Sequence, residues 1–208
     1  AILGSTGSIG KCLINIIKKD KRNFEIILLS AEQNYKELLK QAKFFKVKNL
    51  IITNEHSYNK IKKNKLSKNI NIYNDFNNFK KIFKKKIDYT MSSISGIHGL
   101  KPTIEIIKYS KRIAIANKEA IICGWDLIEK RLNKHKTEFI PVDSEHFSIW
   151  YAIQNTEKNL IEKIYLTASG GPFLDKTFKK LKKVNINQVI NHPNWKMGKK
   201  ISTDSATM

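Results

Sequence analysis

The sequence predicts an α/β protein built on a Rossmann-like, doubly wound parallel sheet. Three observations lead there. A short apolar strand, residues 1–3, runs directly into a glycine-rich turn and a helix; strand-like and helix-like segments then alternate; and an apolar run ending at Val142 opens into two carboxylates, Asp143 and Glu145. Alternation of this kind builds parallel sheets with helices on both faces, and such sheets bind ligands at the carboxyl ends of their strands. Polar residues just past each strand are therefore the candidates for function.

The first strand delivers Gly4, Ser5, Thr6, Gly7, Ser8, Ile9 and Gly10, and a helix continues to about Lys19. Glycines at 4, 7 and 10 permit a tight turn, close backbone approach to a pyrophosphate and close helix packing, while the helix N-terminus offers N–H groups to phosphate. The spacing is GxxGxxG rather than GxGxxG, and the strand is short enough that residues are expected to precede Ala1. A second strand over residues 24–29 brings Glu32, Gln33 and Asn34 to the place of an adenosine ribose. An acid there favours NAD and a base favours NADP. Glu32 pulls one way and Lys36 the other, so these residues leave the cofactor open.

A helix follows over residues 35–45, a strand over 49–53, a polar helix over 57–65 and a short strand over 69–73. The helix over 76–83 places Phe76, Phe79, Ile82 and Phe83 on one face. The strand over 87–94 ends in a small-residue turn holding His98, read as structural or ligand-facing, before a helix over 100–109. The strand over 112–115 meets Asn117, Lys118 and Glu119 at the start of a helix running to about Leu132. Asn117 is a good N-cap and Glu119 suits a first turn, but a cation is unfavourable there. Lys118 thus points to an anionic or carbonyl-bearing ligand.

Next comes the stretch 140–146. Residues two apart on an extended segment share a side, so Asp143 and Glu145 can converge on one cation while Ser144 faces elsewhere. Paired carboxylates suit Mg²⁺ or Mn²⁺ better than zinc. The alternative is a helix N-cap, with Asp143 or Ser144 capping a helix over 146–154. Beyond it a strand is expected over 161–167. The segment from there to Gly198 is bounded by glycines and carries Trp195, Met197 and His192, the composition of a closing lid. The polar tail, residues 201–208, has the look of a further element beginning.

Composition narrows the class. The chain has 208 residues, enough for one domain and part of another. No apolar run approaches a membrane span and no signal peptide is visible. Cys12 and Cys123 lack a Cys-x-x-Cys partner and read as buried thiols of a reducing compartment. The formal net charge of +21 invites a nucleic-acid reading. Against it, arginine occurs only at 22, 112 and 131, and lysine runs such as Lys84-Lys85-Lys86 fall on expected helix surfaces without interleaved aromatics. Solvated helix faces account for the charge.

Six motifs in order, GSTGSIG at 4–10, ANKEA at 116–120, PVDSEH at 141–146, SGGPF at 169–173, HPNWKMGKKIS at 192–202 and DSATM at 204–208, resemble the 1-deoxy-D-xylulose 5-phosphate reductoisomerase family. The resemblance spans the whole chain. It implies an NADPH-binding Rossmann-like domain over 1–142, then an α+β catalytic domain with a lid loop over 143–208, truncated at its end. It implies an enzyme that rearranges 1-deoxy-D-xylulose 5-phosphate and reduces the product with NADPH to 2-C-methyl-D-erythritol 4-phosphate in the non-mevalonate isoprenoid pathway, as a homodimer using Mg²⁺, Mn²⁺ or Co²⁺. The expected place is the cytoplasm, or a plastid in a eukaryote, with neither nucleic acid nor membrane as partner.

By the same resemblance Thr6, Gly7, Ser8, Ile9, Asn34, Asn117, Glu119 and Gly198 contact the cofactor. Asp143 and Glu145 hold the metal; Lys118, Ser144, Glu145, Ser169, His192 and Ser205 hold the substrate; and Lys118, Asp143, Glu145 and His192 carry the catalysis. Trp195 and Met197 match lid residues. Two departures stand out. Glu32 and Gln33 occupy the place where the family carries a basic residue, and the asparagine, lysine and third metal-binding glutamate that follow DSATM in the family lie beyond Met208, so the fragment by itself is expected to be inactive. Two other readings stay open: another NAD(P)-dependent enzyme such as a semialdehyde or sugar-acid dehydrogenase, and a non-catalytic basic protein that binds nucleic acid.

Overall fold

The computed structural model describes residues 1–168, 170–194, 196 and 198–207. The chain divides into two units, Ala1–Trp150 and Tyr151–Met208, each described by itself. In the first, seven strands form one sheet: β1 (Ile2–Leu3), β2 (Leu28–Ala31), β3 (Asn49–Ile52), β4 (Asn71–Tyr73), β5 (Ile87–Ser92), β6 (Ser110–Ile115) and β7 (Glu138–Pro141). All pair in parallel, in the order β4-β3-β2-β1-β5-β6-β7. The chain winds outward from β1 to β4, then returns to the other side of β1 for β5 to β7. That reversal opens a crevice between the carboxyl ends of β1 and β5, where doubly wound sheets bind ligands.

Adjacent strand residues go to opposite cores. Ile2, Leu29, Leu50 and Ile52 pack with Ile14 and Ile17 of α1 (Ser8–Lys19), Leu38, Leu39 and Ala42 of α2 (Tyr35–Phe45) and Ile61 of α3 (Glu55–Lys62). On the other face Leu3, Leu28, Ile51, Ile113 and Ile115 pack with Phe79 of α4 (Phe79–Ile82), Ile106 of α5 (Leu100–Ile106), and Ile128 and Leu132 of α6 (Lys118–His135). Because both faces are covered, the strands read as continuous apolar runs rather than as polar–apolar alternation.

Helix starts follow from capping chemistry. Asn34, Asn54 and Asn117 accept the N–H groups of Glu37, Ser57 and Ala120 at 3.2, 3.0 and 2.9 Å, each satisfying a donor the helix leaves orphaned. α1 differs: Gly7 precedes it with no side-chain cap, and its first turn has no acidic residue.

Three expectations are corrected. The second strand begins at Leu28 instead of residue 24, because pairing with β3 starts where Leu28 meets Asn49; Phe24 is exposed. Cys12 and Cys123 are exposed, not buried. The buried stripes of their helices are Gly10, Ile14 and Ile17 in α1 and Ala120, Gly124, Ile128 and Leu132 in α6, and both thiols fall off those stripes. Residues 161–167 carry no strand, and Ile164, Tyr165 and Leu166 are exposed. Apolar β-formers make a strand only when a neighbouring strand pairs with them.

The helix after β7 is α7 (Ser144–Ile153). The second unit holds α8 (Phe178–Leu181), α9 (Ile186–Ile190) and α10 (Lys199–Asp204), with Asn185 and Gln188 forming a reciprocal capping box at α9. The Phe173 N–H donates to the Ala206 carbonyl at 2.9 Å, tying the loop after residue 170 to the end of α10. Among the described residues no helix is long and apolar enough to cross a membrane.

The two-sided core sets a stability expectation. Ile113 is fully buried on β6, between β5 and β7, so Ile113→Ala lowers unfolding free energy by about 2–5 kcal/mol in urea titration. Ile122, 81% exposed on α6, is apolar and helical too, yet Ile122→Ala shifts it by no more than about 0.5 kcal/mol.

Candidate functional site

The glycine turn after β1 is held from beneath by the end of β2. The Gly4 N–H donates to Ser30 Oγ at 3.0 Å and the Ser5 N–H to the Ser30 carbonyl at 2.8 Å. Gln41, 2% exposed, reaches from α2 to donate to the Ser5 carbonyl at 3.2 Å and to the Glu37 carboxylate at 3.1 Å. Gly4 sits at φ +80°, open to glycine at little cost. At Gly10 a Cβ would stand 2.3 Å from the Gly4 carbonyl oxygen and 2.6 Å from Ser5 Cα, so the turn closes on α1 only because no side chain intervenes. Gly7, Ser8 and Ile9 lie exposed above it and Thr6 is half-buried. An uncapped helix start with no acidic residue in its first turn leaves positive dipole charge and N–H groups at this surface, as an anion requires.

The next loop belongs to β5. Ser93 ties it to the glycine turn, its N–H and hydroxyl reaching the Leu3 carbonyl at 3.0 and 2.7 Å. Asn117, at the end of β6, then clamps the far side: its amide donates to the Ile94 carbonyl at 2.6 Å and the Gly96 carbonyl at 2.7 Å, while its oxygen caps α6. The side chain is 3% exposed and both its donor hydrogens are used within the protein. Asn117 thus shapes the wall of the crevice, and the capping reading describes its side chain. Lys118, next in the chain, is exposed at the same edge, and Glu119 is half-buried in the first turn of α6. His98 is exposed in the turn after β5. Asn34 caps α2 at the end of β2.

β7 places the carboxylates at this same edge, since Ile115 of β6 is in register with Pro141. Asp143 caps α7, its Oδ1 accepting the His146 N–H at 2.9 Å and pairing with His146 Nδ1 at 2.6 Å. Its side chain is 12% exposed. Burial pulls the Asp143 carboxyl upward, but the bonds from the His146 backbone and ring, the imidazole charge and a hydrogen bond with Glu145 outweigh it and hold the group below its ordinary value of 3.8. Both carboxylates stand at the start of α7, Asp143 as its N-cap and Glu145 in its first turn, and not on an extended segment, which ends at Pro141. The N-cap reading describes the Asp143 side chain.

Among the described residues no group of three or more His, Cys, Asp or Glu side chains is arranged to hold a metal ion. Two hard carboxylate oxygens fit a magnesium- or manganese-type ion as half a site, with further donors needed for six-fold coordination. Ser144, exposed, opens α7.

The remaining predicted residues lie in the second unit. The Asn194 N–H donates to His192 Nδ1 at 3.2 Å; the Ser205 hydroxyl, mostly buried, donates to the Ile201 carbonyl at 2.9 Å; and Gly198 precedes α10. Ser169, Trp195 and Met197 fall outside the described residues. Two concavities, about 370 Å³ around Phe173, Lys176 and Gln188 and about 480 Å³ around Asp88, Arg112 and Glu138, include none of the predicted site residues.

Sequence reading missed Ser30, Ser93, Gln41 and His146. Gln41 left a signal, a polar residue on the apolar stripe of α2. His146 left another, three residues past an acidic N-cap.

The family model described as 1-deoxy-D-xylulose 5-phosphate reductoisomerase matches residues 1–124, and the model described as the C-terminal domain of the same enzyme matches residues 139–208. A curated relative of that name from Pelagibacter ubique (strain HTCC1062) is 56% identical over 212 residues, covering 100% of this chain and 54% of the relative. One from Wolbachia pipientis subsp. Culex pipiens (strain wPip) is 41% identical over 209 residues, covering 100% of this chain and 53% of the relative. The chain spans about half the length of the curated relatives it matches. A solved Zymomonas mobilis reductoisomerase in complex with NADPH superposes with a TM-score of 0.86 at 31% identity over 99% of this chain and 53% of that one. A second, in complex with NADPH, fosmidomycin and magnesium, gives 0.82 at 33% identity over 99% of this chain and 53% of that one.

Two measurements check this geometry. Asn117→Ala removes a cap and leaves two carbonyls without donors, lowering stability by about 2–4 kcal/mol in urea; Asn117→Asp keeps the cap but sets a carboxylate oxygen against the same two carbonyls and loses at least as much. Asp143 titrates lower in the folded than in the unfolded chain, so the stability it adds is present above the ordinary carboxylate value and is lost as pH falls through the lower folded one. In metal-free buffer, the stability difference between wild type and Asp143→Asn narrows as pH falls through that range.

Proposed function

Because this chain belongs to the 1-deoxy-D-xylulose 5-phosphate reductoisomerase family, we propose that it forms the cofactor- and metal-binding part of an enzyme that isomerises 1-deoxy-D-xylulose 5-phosphate and reduces the product with NADPH to 2-C-methyl-D-erythritol 4-phosphate. The observation that carries this reading is the order of groups along one edge of the sheet. Asn34 follows β2, the glycine turn follows β1, the Asn117–Lys118 junction follows β6 and the Asp143–Glu145 pair follows β7. With strands about 4.8 Å apart, the phosphate-binding turn and the carboxylates stand about 14 Å from each other across β5 and β6. A dinucleotide laid along that edge runs from Asn34 past Thr6, Gly7, Ser8 and Ile9 to Asn117 and Glu119.

Each group has a part that its chemistry allows. Residues 1–142 bind the cofactor and residues 143–208 contribute metal and substrate contacts. The uncapped start of α1 holds the pyrophosphate. Lys118 neutralises negative charge on the substrate. Asp143 and Glu145 hold a divalent cation, and the low proton affinity of Asp143 keeps it anionic at neutral pH. When bound, Mg²⁺ or Mn²⁺ supplies Lewis-acid stabilisation of charge on neighbouring substrate oxygens, and NADPH supplies the hydride. By family membership Ser144, Ser169, His192 and Ser205 are assigned to the sugar phosphate and Gly198 to the cofactor. The complete enzyme works as a homodimer.

Asp143→Asn in the complete gene product separates these parts, because asparagine also caps a helix while supplying no charge to a cation. With deoxyxylulose phosphate and Mn²⁺, kcat for NADPH oxidation falls about a hundredfold or more. NADPH affinity measured by cofactor fluorescence changes by less than about twofold. An unchanged kcat sinks the metal assignment. Absence of NADPH oxidation in the wild type sinks the reaction.

A further inference from the structure

The end of β2 carries a charge that the reaction does not use. Glu32 follows Ala31 directly, two residues past the Ser30 that holds the glycine turn. Its backbone is pinned on the other side, where the Asn54 N–H donates to the Glu32 carbonyl at 3.0 Å and the Thr53 N–H to the Ala31 carbonyl at 3.2 Å. The side chain is exposed, and its carboxylate takes one long hydrogen bond, from Gln33 Nε2 at 3.4 Å. This backbone position is therefore fixed beside the phosphate turn while its carboxylate stays available to a ligand.

The local charge runs against the chain as a whole. In a protein of net charge +21, the stretches just past β2 and β3 carry Glu32, Glu37 and Glu55 against Lys36 and His56. Dinucleotide folds read the adenosine ribose at this place: a carboxylate accepts the two ribose hydroxyls, and a cation accommodates a 2′-phosphate. A carboxylate facing a 2′-phosphate within a few ångströms costs about tenfold in affinity or more at a partly solvated surface.

We propose that Glu32 is a specificity-determining residue for the nicotinamide cofactor, accepting the hydroxyls of an unphosphorylated ribose and opposing a 2′-phosphate, so that this chain takes NADH as well as NADPH. Lys36, exposed in the first turn of α2, acts in the opposite sense as the cation available to the phosphate. The inference rests on the reading of the glycine turn as a dinucleotide site.

Titrating the 208-residue chain separately with NADH and NADPH, read by cofactor fluorescence, tests it without turnover. Wild-type dissociation constants lie within about tenfold of each other. Glu32→Gln weakens NADH, tightens NADPH and moves their ratio by about tenfold toward NADPH, whereas Lys36→Ala moves it the other way. A merely structural role would change both affinities together and leave the ratio alone. The proposal is overturned by a wild-type preference for NADPH above about a hundredfold, or by an unchanged ratio in Glu32→Gln. Binding of neither nucleotide overturns the dinucleotide reading itself, a result distinct from binding both with the ratio unmoved.

Discussion

The carboxyl edge of the sheet keeps its shape through a continuous line of hydrogen bonds that ends on one buried amide. Ser30 holds Gly4 and Ser5, Ser93 holds Leu3, and Asn117 holds Ile94 and Gly96 while capping α6. Loops over the end of a parallel sheet expose backbone polar groups, and each one buried without a partner costs about 1–3 kcal/mol. Here the loops after β1, β5 and β6 satisfy one another. None of the three moves without breaking a bond in the next. Lys118 therefore takes its place from Asn117, one residue before it.

Electrostatic placement follows from that frame. Three helices at this edge begin with an asparagine cap and a glutamate in the first turn, the ordinary way to satisfy a helix start. α1 begins with Gly7 and neither device, so its dipole and N–H groups are left for an outside anion. Asp143 does two things at once. As the N-cap of α7 it accepts the His146 N–H, and its pairing with the His146 ring favours the carboxylate form. Lysine dominates the composition, yet Lys84, Lys85, Lys179 and Lys180 all lie exposed on outer surfaces.

Much of this was legible beforehand. The strand–turn–helix order around Gly4, Gly7 and Gly10 and the alternation through β7 needed only local propensity and period. The helix over residues 35–45 is α2. Misreadings arose where partners far along the chain decide. Residues 161–167 have strand composition but no pairing among the described residues, and residues 24–27 precede the point where β3 begins to pair. Cys12 and Cys123 sit in helices as expected, but the side of each helix that is buried depends on where the sheet lies. In the site, the glycine turn and the two carboxylates were named from sequence, whereas Ser30, Ser93 and Gln41 were not, because their roles are contacts across 26, 90 and 36 residues.

By itself the sequence determined the fold class, the placing of polar groups after strands, and the chemistry those groups offer: a glycine turn at a helix start after β1, carboxylates after β7, and a carboxylate after β2. These depend on residue type and short spacing, which the chain states directly. Tertiary structure alone decided that the sheet turns back at β1, that Asn117 spends its amide on Ile94 and Gly96, and that Asp143 spends its carboxylate on a helix cap with His146. The physical reason is that hydrogen bonds and burial are satisfied by whichever groups the packed sheet brings within reach, and separation along the chain does not say which those are.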